Sequence, residues 1–91
     1  MLVSDLVKDS DFALLTNELY DHEITGMYCG DLLSWVMSHG KAGDLWCTVL
    51  NHLNIVAVAS LVNFSCIVIC EDAPIDEETI IKANQEKINI L

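Results

Sequence analysis

Ninety-one residues carry fourteen acidic side chains against four lysines and no arginine, a net charge of −10, and 53% of them are hydrophobic. That length makes one small domain. The charge excludes recognition of the nucleic-acid backbone and attraction to anionic membrane surfaces, and without arginine there is no bidentate clamp for phosphate or carboxylate. The apolar fraction exceeds the roughly 45–50% of ordinary domains, more than a small core hides, which predicts a homodimer.

In chain order, Val3 to Lys8 reads as a short helix with Leu2, Val3, Leu6 and Val7 on one face. Phe12 to Thr16 reads as a first strand, Asn17 to His22 as a loop, and Ile24 to Cys29 as a second strand ending at Gly30-Asp31. Asp31 is placed to cap a helix from Leu32 to His39, which Gly40 stops. Leu45 to Leu50 is a third strand, Asn51 to Asn54 a turn, and Asn54 the expected cap of a helix from Ile55 to Val62. Cys66 to Cys70 is apolar throughout, as a strand covered on both faces would be. Asp76, followed by Glu77 and Glu78, opens a helix to about Gln85 or Lys87, with Ile75 stapled against Ile80. Ile88 to Leu91 is a last short strand.

Three consecutive strand–helix units predict an α/β fold with a small, mainly parallel sheet and helices packed on it. The stretch from Leu45 to Cys70 has no charged residue and has the length of a membrane span. Asn51, His52, Asn54, Ser60, Asn63 and Ser65 interrupt it, and turns and caps account for them better. No basic segment leads into an apolar core at the N-terminus, so the expected compartment is the cytoplasm. The helix from Ile55 to Val62 is apolar nearly all round, so it is expected to be covered on two sides, the second by another protomer.

Cys29, Cys47, Cys66 and Cys70 lack the paired spacing of a metal site. Set among apolar residues, they are expected to be buried thiols, with neither metal nor disulfide. The candidate ligand site lies at the carboxyl ends of the strands, where open α/β sheets bind. Gly30 allows close backbone approach, and the helices after Asp31 and Asn54 offer free N–H groups. Asn51 and His52 can donate or accept hydrogen bonds, and Glu71 with Asp72 is either a solvated carboxylate pair or a divalent-cation pair. The expected ligand-binding residues are therefore Gly30, Asp31, Asn51, His52, Asn54 and Glu71. Cys29 near His52 would make a nucleophile and a base, but nothing in the sequence fixes their distance. Phosphate-loop, nucleophile-elbow and zinc-protease motifs are all lacking. The expectation is a non-catalytic domain without cofactor, sensing a small metabolite or nucleotide; the alternative is an interaction or dimerisation module without such a ligand.

Ile24-Thr-Gly-Met-Tyr-Cys-Gly-Asp-Leu-Leu-Ser34, Gly43-Asp-Leu-Trp-Cys-Thr48 and His52-Leu-Asn-Ile-Val-Ala-Val-Ala-Ser60 together resemble the DRTGG domain. The likeness is to its short stand-alone members, related to the N-terminal domain of HPr kinase, and covers essentially the whole chain. It implies an α/β fold, homodimerisation and a regulatory role. The name-giving motif reads here His22-Glu-Ile-Thr-Gly-Met27, which retains Thr25 and Gly26 and has no arginine. Relatives continue past the position of Leu91 into one more helix. The kinase activity does not carry over, because the phosphate-binding loop is missing.

Overall fold

Backbone pairing follows the repeating strand–helix pattern. The computed structural model describes residues 1–8, 12–71 and 73–91. Its elements are α1 (Val3–Val7), β1 (Gly26–Cys29), α2 (Leu33–His39), β2 (Asp44–Thr48), α3 (Asn54–Val62), β3 (Cys66–Ile69) and α4 (Glu77–Glu86). The strands form a parallel sheet in the order β1-β2-β3, with Cys29 level with Cys47 and Cys47 level with Val68. The fold class expected from the alternation is the one found. Ile88 to Leu91 adds a short parallel rung beyond β3: Ile67 N–H donates to Asn89 and Leu91 N–H donates to Ile67, each at 2.9 Å.

A strand order that runs in sequence has a consequence. Crossovers of constant hand then all pass on one side of the sheet. Val36 of α2, Ile55, Val56 and Ala59 of α3, and Ala83 of α4 accordingly share one core with Trp46 and Ile67. Trp46 is fully buried, and its indole lies 5.5 Å from the Phe64 ring. Gly40 is the close approach beside it. A Cβ there would stand 2.5 Å from the Phe64 ring, so the helix stop is set by packing rather than by a left-handed turn.

The opposite face needs a different cover, and the N-terminal segment supplies it. Val3 and Leu6 of α1 pack on Leu45, Cys66, Val68 and Leu91, with Phe12, Leu14, Leu19 and Ile24 around them. This use of Phe12 and Leu14 explains why the expected first strand does not form. Its one backbone link to the sheet among the described residues is Leu15 N–H to Ile90 at 2.8 Å, at the outer margin. Asn89, fully buried, ties this cover to the core: its amide accepts from Tyr20 N–H at 2.7 Å and donates to the Tyr20 and Ser65 carbonyls.

α3 lies between α2 and α4 as well as on the sheet, so its own chain covers more of it than its apolar sequence suggests. What stays exposed beyond Asn54 at its start is a strip of Ala57, Ser60 and Leu61. No helix among the described residues is long and apolar enough to cross a membrane.

Candidate functional site

Parallel strands send all three of their outgoing turns to one edge of the sheet, and a mesh of hydrogen bonds ties those turns together. Gly30 N–H donates to Cys47 at 3.1 Å, and Trp46 Nε1 donates to the Gly30 carbonyl at 2.9 Å. The Asp31 carboxylate accepts from the Thr48 hydroxyl at 2.7 Å and from Val49 N–H at 3.0 Å. Those two donors, Val49 N–H foremost, hold its carboxyl below the usual carboxylate value. Thr79 Oγ1 donates to the Asn51 carbonyl at 3.1 Å, and the Asn51 amide donates to Pro74. The third turn is joined to the second in this way.

Three of the six expected ligand-binding residues line an open hollow of about 400 Å³ at this edge: Gly30, Asp31 and Glu71. Asn51 does not reach it, because both its amide and its carbonyl serve the link to the third turn. His52 and Asn54 are exposed and lie outside it. Asp72 lies outside the described residues.

The two expected caps also differ. Leu32, not Asp31, takes the cap position of α2, because the Asp31 carboxylate is committed to Thr48 and Val49. Leu53 takes that of α3, so Asn54 is the first helical residue, and neither helix has a side-chain cap.

Sequence reading missed the floor of the hollow. Cys29, Cys47 and Cys70 all line it, one from each strand or its end. The expectation of four buried thiols holds for Cys66 alone; Cys29 is exposed, and Cys47 and Cys70 are half-buried. The reason is topological. β1 is an edge strand, the N-terminal cover stops short of the carboxyl edge, and Met27 on the same strand face is 67% exposed. A usable signal was present: each of the three thiols sits near the end of a strand, at the parity that points away from the helices.

Burial pushes the Cys47 thiol up to about 12, with the Cys29 and Cys70 thiols on either side adding to the rise. Burial also lifts Cys66 to about 11, against a hydrogen bond from Ser65. Among the described residues no group of three or more His, Cys, Asp and Glu side chains converges as a metal cage does.

A second hollow, of about 470 Å³, opens at the opposite end of the sheet, between the C-terminal ends of α3 and α4. Helix C-termini present carbonyls there, and the Glu23 carboxylate at its rim is paired with the N-terminal amine at 3.0 Å. It is the larger of the two, yet the carboxyl edge carries the nucleophilic and ligating groups. No known family, no curated protein and no solved structure matches the chain.

Proposed function

We propose that the chain is a non-catalytic regulatory module that binds a small metabolite or nucleotide at the carboxyl edge of its sheet and acts as a homodimer. One observation carries this reading: the edge turns are cross-braced by Asp31, Trp46 and Asn51, while the hollow between them stays open. A pre-organised open concavity binds without the cost of ordering its own walls. The acidic rim of Asp31 and Glu71 favours ligands that are neutral or cationic where they meet it. The resemblance of three chain segments to the DRTGG domain agrees with a regulatory role.

The homodimer is expected to seat on the strip of Ala57, Ser60 and Leu61, which flanks a shallow groove between α3 and α4. The test is a thermal-shift screen against nucleotides and small metabolites. A ligand at a hundred times its Kd should stabilise the fold by about 2.7 kcal/mol. Cys29→Tyr, which fills the hollow from an exposed position, should abolish that shift. A screen with no shift, or a shift that Cys29→Tyr leaves intact, overturns the reading.

An interaction module without a small ligand is the second reading. It is favoured by Leu32 and Trp35, 61% and 57% exposed, beside the helix layer. Mass measurement in solution separates the dimer from both: the wild type should be a dimer at micromolar concentration and Ala57→Glu a folded monomer. A wild-type monomer ends the dimer proposal.

A further inference from the structure

The thiols are the part of the hollow that ordinary metabolite recognition does not use. Cys29 and Cys47 are level partners in adjacent parallel strands, so their side chains leave the same face of the sheet side by side. Strand spacing sets the two backbones about 4.8 Å apart, and rotation about each Cα–Cβ bond lets both sulfurs turn toward one cation between them.

We propose that Cys29 and Cys47 form a two-thiolate site for a soft monovalent cation of the Cu(I) class. The proposal rests on the reading of the carboxyl-edge hollow as a ligand site and names a ligand class for its floor.

Softness selects the metal. Thiolates prefer Cu(I) to the harder ions that carboxylates and water suit. Zinc needs four ligands in a tetrahedron, and no group of three or more ligands converges among the described residues. Charge points the same way, since Asp31 and Glu71 line the hollow and the chain as a whole carries −10. Access is open through the exposed Cys29, whereas Cys66 is sealed under α1 and takes no part.

On binding, two S–H bonds break and two metal–sulfur bonds form. Two protons leave to solvent, and no electron is transferred.

The experiment is an anaerobic titration of the full chain with Cu(I) supplied as its acetonitrile complex, repeated with Ag(I) as a redox-inert probe. Metal retained after desalting, protons released, and thiols alkylated by maleimide are counted together. One metal per chain is expected, releasing two protons and shielding Cys29 and Cys47 from alkylation. Cys29→Ser, at an exposed position, should keep the fold and weaken binding by about a hundredfold or more, because one of two ligands is gone. Cys66→Ser should leave affinity unchanged within about twofold.

No retained metal, or retention indifferent to Cys29→Ser, overturns the site. If metal fails while a metabolite still shifts the melting of the Cys29→Ser protein, the metal proposal falls alone. If neither metal nor metabolite binds, the reading of the hollow falls with it.

Discussion

The two faces of the sheet are covered by different means. One carries α2, α3 and α4, each delivered by its own crossover, over a core that holds Trp46 and Ile67 at zero exposure. The other is covered by α1 and an irregular stretch around Phe12, Leu14, Leu19 and Ile24, and this cover runs out before the carboxyl edge. Helical repeats cover a surface evenly because each brings a stripe of side chains at fixed spacing. An irregular segment covers only where its individual apolar residues land. The thiols are therefore accessible because of the second kind of cover, not because of anything in the strands themselves.

The largest effect should come from emptying the helical face. Trp46→Ala removes a fully buried indole, its contact with Phe64 and its hydrogen bond to Gly30. A loss of about 3–5 kcal/mol is expected from urea unfolding. On the other face, Leu19→Ala, a half-buried position in the irregular cover, should cost well under half of that. Equal losses would mean that the two covers are equally tight.

Asn89 is the pin between the faces. Asn89→Ala removes the partner of the Tyr20 N–H and a donor to the Ser65 carbonyl, while the Tyr20 carbonyl keeps His22 N–H at 2.8 Å. A cost of about 2–3 kcal/mol is expected, with faster amide exchange over Asn17 to Ile24 than over α3. Uniform exchange across both regions would show that Asn89 fills space and does not tether.

Alkaline pH acts on the buried thiols. The folded values of Cys66 and Cys47 lie near 11 and 12, above the ordinary 9.0. Stability from these neutral thiols is thus complete below pH 9 and is lost as pH rises toward 11–12. For Cys66, buried in the fold, the full loss amounts to about 2–3 kcal/mol. Denaturation midpoints measured from pH 8 upward should fall, and Cys66→Ala should flatten the fall. An unchanged slope in that variant would place the alkaline sensitivity elsewhere.

How much of this the sequence made legible differs between the faces for the same physical reason. The strand–helix units were readable because their apolar residues recur with fixed periods, and α4 begins after Asp76 as expected. The cover at Phe12 and Leu14 reads as a strand because an apolar run looks alike whether the backbone pairs or merely packs. The hollow was half legible. Gly30, Asp31 and Glu71 follow from strand ends, whereas the level pairing of Cys29 with Cys47 depends on register, which no local pattern records.

The smallest effect tests the brace where the two faces meet. Asp31 was expected to cap α2, but its carboxylate instead holds Thr48 and Val49. Its folded value lies below the ordinary 3.8, so its contribution is present at neutral pH and lost as pH falls through the range below that value. The group is almost wholly solvated, and screening keeps the gain within about 1 kcal/mol. Asp31→Asn should therefore lower the urea midpoint slightly at pH 7 and not at all in strong acid, where the wild-type carboxyl is neutral too. A double-mutant cycle with Thr48→Val decides between brace and cap. Because the hydroxyl is one of two donors to that carboxylate among the described residues, a brace gives a clear coupling between the two sites. A cap would give none, and the loss would then appear as fraying of α2 alone. Zero coupling with a frayed α2 would return Asp31 to its expected place at the helix start and leave the carboxyl-edge turns held by Trp46 and Asn51.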